Sequence, residues 1–419
     1  MIHRIEALGY RSLRDISIRL GALQVLVGPN ESGKSSLVDV PAFLGDLVTE
    51  GLDSAVGKRA GEFRDLLWQK KAEKVELAIE AEILEEKKQL LPESNFSLVR
   101  YEVALGVHSE TGAPEIEAER VLLKELEARQ PEDRDFFPFD CPPRKTILTP
   151  RASGVRTVVN KSLGRKDNYY SEVYHEPGKG WVMPFQLGPR KSALGNLPED
   201  ESKFPVTTWF KQLLSTGIRR FALESSRLHK PSPPLQPVEM NMDGSNLPWV
   251  IGRLKNDHPG AFRRWIESTN KALPDIDDVR IVERPADRYR YIIIRYKNGL
   301  EVPSWGASTG TLRLLALTLP AFLPGFSGIY FLEEPENGLH PRAVRTFFQS
   351  MCQVQLAQML IATYSPVILS EAEPGHVLCF AKTEGGATDV ISGSEHPTLR
   401  QWRGEKNLGL LFVDGILGS

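Results

Sequence analysis

Leu23-Gln24-Val25-Leu26-Val27-Gly28-Pro29-Asn30-Glu31-Ser32-Gly33-Lys34-Ser35 joins a short apolar run to a glycine-bounded loop, and a helical pattern opens soon after, at Leu37. An apolar run of this length reads as a buried strand, so the order is strand, loop, helix, the context that a P-loop requires. The glycines let the backbone curl without Cβ clashes. Successive N–H groups and the helix N-terminus then converge on one point, where they attract phosphate oxygens. Lys34 supplies a point charge for the β/γ-phosphates, and Ser35 a hydroxyl for Mg2+.

A second apolar run, Ile329-Tyr330-Phe331-Leu332, ends in Glu333-Glu334-Pro335-Glu336-Asn337-Gly338-Leu339-His340-Pro341. Carboxylates at the tip of a buried strand sit where open α/β sheets bind their ligands. Beside a P-loop, the first can hold Mg2+ through water, and the second can orient or deprotonate an attacking water. Between these motifs, Trp305-Gly306-Ala307-Ser308-Thr309-Gly310-Thr311 leads into the apolar helical segment Leu312–Leu317. Ser308 suits an N-cap, and Gly310 permits close backbone approach.

Outward from the P-loop, Ile2–Leu8 and Ile16–Leu20 read as strands around an Arg11-Ser12-Leu13-Arg14 turn. Val75, Leu77, Ile79, Ala81 and Ile83 alternate, as do Leu98, Tyr101, Val103 and Leu105 less strictly, which predicts antiparallel, half-buried strands. From Pro131 to Pro205 the pattern dissolves into turns such as Pro142-Pro143, Gly178-Lys179-Gly180 and Leu187-Gly188-Pro189, so an irregular insertion is expected. A helix from Trp209, a strand at Ile218–Leu223, helices at Leu247–Asn256 and Ala261–Leu273, and strands at Val279–Glu283 and Tyr289–Tyr296 follow. From Gly328 onward, strands and helices alternate like the second half of the sheet begun at Leu23. No heptads are sustained, so no coiled-coil arm is expected.

The chain has 419 residues and a net charge of −2, which gives no global nucleic-acid signal. Cys141, Cys352 and Cys379 lack CxxC spacing and read as free core cysteines of a reducing, cytoplasmic compartment. The N-terminus lacks the apolar region of a signal peptide, and Leu312–Leu332 is broken by Arg313, Pro320, Pro324 and Gly325, so no membrane span is expected. Local basic clusters remain. Arg151, Arg156, Lys161, Arg165 and Lys166 with Tyr169 and Tyr170 form one DNA-binding candidate, and Arg219, Arg220, Arg227, His229 and Lys230 a second.

The P-loop, the Ser-x-Gly helix start, the Glu-Glu-Pro-Glu-Asn-Gly-Leu-His-Pro run and Ile361-Ala362-Thr363-Tyr364-Ser365-Pro366 resemble, in order, the ABC-type ATPase heads of the SMC/RecF-like superfamily. More closely, the chain resembles compact bacterial AAA family ATPases of defence and repair contexts, through Arg11-Ser12-Leu13, Lys191-Ser192-Ala193-Leu194, Asn196–Asp200, Pro231–Pro234 and the ending Leu408–Gly415. The resemblance implies an α/β head with an antiparallel β-lobe and a helical or irregular insertion. Its expected divisions are residues 1–130 (P-loop half and β-lobe), 131–300 (insertion and helical/β subdomain) and 301–419 (signature, Walker B and switch half).

It also implies that Gly28, Pro29, Asn30, Glu31, Ser32, Gly33, Lys34, Ser35 and Ser36 contact ATP and Mg2+, that Glu333 is the Walker B acid and that Glu334 is the catalytic base. Ser308, Thr309 and Gly310 match the signature motif, which contacts the γ-phosphate held by a second subunit, and Glu336, Asn337 and Gly338 match the D-loop. Glu333 stands where many members have Asp, and Tyr364 where a switch histidine is expected. Gln69 is a weak match to the Q-loop glutamine, against an ordinary solvated residue. The implied activity is ATP hydrolysis by a head-to-head dimer that acts with a nucleic-acid-directed partner, such as a separately encoded nuclease or toxin. The rival reading is a slow nucleotide-gated sensor or scaffold. A transporter subunit fits less well because the stretch between Lys34 and Ser308 is long, and a P-loop/Toprim nuclease because too little chain follows Pro366.

Overall fold

The computed structural model describes residues 1–419 apart from 93–94, 128–133, 174–181, 402–406 and 418–419. The strands are β1 (Ile2–Tyr10), β2 (Leu13–Arg19), β3 (Leu23–Val27), β4 (Val75–Glu82), β5 (Leu98–Val107), β6 (Pro114–Lys124), β7 (Val155–Ser162), β8 (Asp167–Tyr170), β9 (Val182–Phe185), β10 (Ile218–Phe221), β11 (Ile276–Glu283), β12 (Arg290–Tyr296), β13 (Glu301–Pro303), β14 (Gly328–Glu333), β15 (Ala357–Ala362), β16 (Val377–Lys382) and β17 (Thr388–Ser392). Among the described residues they form three sheets. The head sheet has the order β10-β14-β15-β3-β16-β17, the lobe sheet β2-β1-β4-β5-β6-β7-β8-β9, and the smallest β11-β12-β13.

In the head sheet every pairing is parallel except β16 with β17, and β3 lies between β15 and β16. Both faces of its central strands are covered, which is why their sequences are unbroken apolar runs. Leu26, Ile329, Phe331, Leu360 and Ala362 face the P-loop helix α1 (Lys34–Glu50) in one core. Val25, Val27, Tyr330, Leu332, Met359 and Ile361 face the other way, into a core with the helices Thr309–Thr318 and Pro341–Met351. Helix α1 begins at Lys34, a turn before the apolar pattern at Leu37, because its first turn is the polar end of the loop.

The lobe sheet corrects two expectations. Residues 131–205 are not wholly irregular: they carry β7, β8 and β9, which continue the lobe sheet beyond residue 130. The Gly178-Lys179-Gly180 turn lies outside the described residues. Nor are β4 and β5 half-buried, since Glu76, Glu80 and Glu102 are 0% exposed. The segment Arg144–Thr149 crosses their polar face. Ile147 N donates to Glu76 at 2.7 Å, Thr149 N donates to Glu102 at 3.0 Å, and Arg144 Nη1 donates to Glu6 at 2.8 Å.

Strand β10 lies within the 131–300 stretch in sequence but belongs to the head sheet, beside β14. Of the cysteines only Cys379 is buried; Cys141 and Cys352 are exposed. Among the described residues, no helix is long and apolar enough to cross a membrane.

Candidate nucleotide site

The loop Gly28–Gly33 leaves the tip of β3 and is backed by the last two strands of the head sheet. A Cβ on Gly28 would collide with the Phe380 carbonyl, and one on Gly33 with the Thr388 side chain. Both residues have positive φ, 151° and 105°, so glycine is required by backbone and by packing alike. Lys34 opens α1 with only 7% of its surface exposed. Its ammonium donates to Gly28 O at 2.7 Å and Pro29 O at 2.8 Å, and lies 4.6 Å from the centre of the Tyr364 ring. Burial pulls the Lys34 pKa down to about 8, against the opposing pull of the Glu334 carboxylate. Ser36 Oγ accepts from Ser12 Oγ of the β1–β2 turn at 3.0 Å, and Glu31 pairs with Lys382 at 3.2 Å.

Glu333 ends β14, and Glu334 follows with φ 44°, a left-handed conformation that costs a non-glycine residue roughly 1–2 kcal/mol. Its N–H continues the ladder to Ala362 O at 2.8 Å, and its carboxylate accepts from Asn337 Nδ2 at 2.7 Å. The kink returns Glu336 to the tip of β15, where it accepts from Thr363 Oγ1 at 2.6 Å and Tyr364 N at 2.9 Å. The other Glu336 oxygen is buried without a hydrogen-bond partner among the described residues. Tyr364 lies over the P-loop and its hydroxyl donates to Asn30 Oδ1 at 2.5 Å. Burial raises its pKa, helped by Glu334, Glu333 and Glu336, so the phenol stays neutral.

Ser35 and Glu333 line one cavity of about 330 Å³ beside α1, together with Arg11, Asp39 and Arg220. A hydroxyl and a carboxylate are oxygen donors of the type a hard divalent cation takes, so these residues fit Mg2+. Glu333 forms an ion pair with Arg220 of the neighbouring strand β10. Arg220 was expected in a nucleic-acid patch. No signal within the sequence could move it here, because strand order, unlike strand existence, is not written in local periodicity.

Ser308 caps the helix Thr309–Thr318 through its backbone, accepting from Leu312 N at 3.1 Å, but its side chain makes no capping bond. Gly310 does admit a close approach, by the Glu336–Gly338 turn: a Cβ there would lie 2.9 Å from Gly338 O. Thr309 Oγ1 lies 3.0 Å from His229 Nε2, so His229 too leaves the basic patch for the site's vicinity. Gln69, with φ 51°, donates to Gly385 O at 3.1 Å in the turn between β16 and β17.

Each basic cluster is partly buried or paired within the chain. In the first, Lys161 is buried against Asp167 at 3.3 Å, Tyr169 is fully buried and donates to Ala193 O at 2.9 Å, and Arg156 donates to Ser171 O at 2.8 Å; Arg151, Arg165 and Lys166 are exposed. In the second, Arg219 pairs with Glu239, and Arg227 with Glu224 and Asp243.

Residues 23–370 match the family described as "AAA domain, putative AbiEii toxin, Type IV TA system", and residues 1–44 match a family described as a protein of unknown function. No curated protein matches the sequence. Among solved structures, an SMC head bound to the C-terminal winged-helix domain of ScpA superposes with a TM-score of 0.52 at 15% identity, over 93% of this chain and 97% of that one. SMC heads from Pyrococcus furiosus, also bound to ScpA, and from Thermotoga maritima give 0.48 and 0.45 at 14% and 11% identity, each over 93% of this chain and over 96% and 98% of theirs. The chain belongs to this AAA-domain family and has the ABC-type ATPase head fold of the SMC/RecF-like group.

Proposed function

We propose that the protein binds and hydrolyses ATP, closing as a head-to-head dimer with two nucleotides between the subunits. The observation that carries the reading is the convergence of Lys34, Glu334 and Tyr364 on one glycine-walled loop: the tips of β3, β14 and β15 meet there, and Lys34 is flanked by a phenol and a carboxylate. In this reading Gly28–Ser36 cradle the phosphates, Lys34 exchanges its two carbonyl partners for phosphate oxygens, and Ser35 and Glu333 hold Mg2+, which neutralises charge on the phosphates. Glu334, held by Asn337, accepts the proton of the attacking water. Ser308, Thr309 and Gly310 reach the nucleotide of the second copy. Residues 1–130 and 301–419 supply these motifs, with β10 from the intervening stretch completing the head.

The dimer drives or licenses a nucleic-acid-directed partner in repair or anti-phage defence. A family description that names a toxin system supports a search for a separately encoded effector, and the exposed Arg151, Arg165 and Lys166 are candidates for direct DNA contact. A slow sensor that holds an effector is the second reading. It is favoured by Tyr364, a neutral phenol tied to Asn30 where a histidine could become cationic.

Turnover tests the core reading. Glu334→Gln keeps the carboxylate's shape without its basicity, so single-turnover hydrolysis should fall by about a hundredfold or more while ATP stays bound. Unchanged turnover would remove Glu334 as the base.

A further inference from the structure

We infer that His229 sets the donor–acceptor state of the Thr309 hydroxyl, and thereby couples phosphate capture by the signature turn to uptake of a proton. This rests on the sandwich reading, in which Thr309 meets a phosphate of the second copy.

The bonding around the imidazole assigns its protons. The helix Ser225–His229 packs on the turn Ser304–Gly306 and on the start of the helix Thr309–Thr318. His229 Nδ1 lies 2.9 Å from Ser304 O, a carbonyl that can only accept, so Nδ1 carries the hydrogen. Ser304 Oγ returns a bond to His229 O at 3.1 Å and fixes the ring's backbone. In the neutral ring Nε2 therefore bears a lone pair, and at 3.0 Å Thr309 must donate its hydroxyl hydrogen to it. Thr309, exposed on the molecular surface, then offers only lone pairs outward. Phosphate oxygens also only accept, so the neutral state is mismatched to them.

Protonation of the ring reverses the bond. Both nitrogens then donate, Nε2–H bonds to Thr309 Oγ1, and the threonine hydrogen is released to point outward at a phosphate oxygen. The imidazolium adds positive charge one hydrogen bond behind it, at a helix N-terminus that already favours anions.

The surroundings make the change conditional. The helix Thr309–Thr318 carries one charged side chain, Arg313, and the Ser304–Gly306 turn carries none. On His229's own helix Arg227 is paired with Glu224 at 2.8 Å and Asp243 at 3.3 Å, and Lys230 follows directly. A phosphate drawn to this turn supplies the anion that the reversed bond serves. Imidazole is the side chain that can hold a bond through both nitrogens in either protonation state, donating from one or from both, which is what the Ser304 and Thr309 contacts require.

The test compares ATP-driven dimerisation of Glu334→Gln with that of the double variant that adds His229→Gln, each in MgATP, by sedimentation at about pH 8 and about pH 6.5. Glutamine can keep a bond to Thr309 but cannot titrate, and the ionisation of ATP is common to both proteins. Relative to the double variant, the histidine protein should tighten by about fivefold to tenfold as pH falls, within the limit of tenfold per unit for each of the two protons that the symmetric dimer takes up. Calorimetry in buffers of different ionisation heat should register the matching proton uptake. Adding Thr309→Val to Glu334→Gln instead, which leaves the imidazole in place, should flatten the profile equally, and this carries the comparison if the glutamine variant does not fold. The same pH slope with and without His229 or the Thr309 hydroxyl would overturn the coupling and leave the sandwich intact. Glu334→Gln that binds ATP yet never assembles at either pH would overturn both.

Discussion

Arg100 in the lobe and Lys34 in the head are both cations with less than a tenth of their surface exposed, 2% and 7%, but their surroundings treat the charge in opposite ways. Arg100 donates to Glu6, to Glu80 at 3.0 Å, to Glu102 at 2.7 Å and to Ile147 O at 2.8 Å. Burial alone would raise the pKa of Glu6, yet Arg100 and Arg144 override it and hold the carboxyl at about 2. Lys34 bonds to two carbonyls and lies under an aromatic face, and the Glu334 carboxylate only partly offsets its burial, so its charge is disfavoured. Around the same strand tips are a strained Glu334 backbone and a Glu336 oxygen with no hydrogen-bond partner among the described residues. A buried charge network is thus a poor guide to a site; the informative feature is a buried charge whose compensation is incomplete, because a ligand can complete it.

Paired substitutions should separate the two regions. Arg100→Ala leaves Glu6, Glu80 and Glu102 facing a hole, so unfolding stability should drop by about 3–5 kcal/mol in denaturant titrations. Lys34→Ala removes a charge that folding disfavours, so stability should be unchanged or slightly higher while ATP binding is lost. Equal destabilisation by the two would erase the contrast.

A smaller effect follows from the sign of the Lys34 shift. Bound phosphate favours the ammonium, so its pKa rises on binding from the value of about 8 in the free protein. Below that pH the proton is already present and affinity should be flat; above it binding must take a proton up, so affinity should fall by up to about tenfold per pH unit. Calorimetric ATP titrations across this range check it, and a flat profile would detach Lys34 from the phosphates. The smallest effect concerns Tyr364, whose hydroxyl is committed to Asn30. Tyr364→Phe should slow single-turnover hydrolysis by about threefold, the worth of one modest hydrogen bond, and Tyr364→His should speed it. A phenylalanine variant as fast as the parent would end the switch role.

The same contrast explains what was legible in the sequence. The P-loop and the Glu333–Glu334 strand tip could be read because apolar runs covered on both faces abut residues of special chemistry. In β7 and β8 the inward positions include Lys161 and Asp167, which satisfy each other in the interior. Such pairs erase the period-two signal, so those strands were read as irregular. Glu76, Glu80 and Glu102 kept their alternation, but its polar half suggested water where the Arg144–Thr149 segment lies. In the sequence Arg220 and His229 are legible only as members of a basic cluster, since their partners Glu333 and Thr309 are brought by strand order and helix packing.

Gly310→Asp, an obvious block to the sandwich, would also strike Gly338 O within the same subunit and so disturb the D-loop. Assembly is better read in Glu334→Gln with Gly310 intact. The mass of that variant by light scattering, with and without MgATP, tests the central claim most directly: ATP should double it, and removal of the nucleotide should reverse the change. A variant that retains ATP while its mass stays that of one chain would contradict the account.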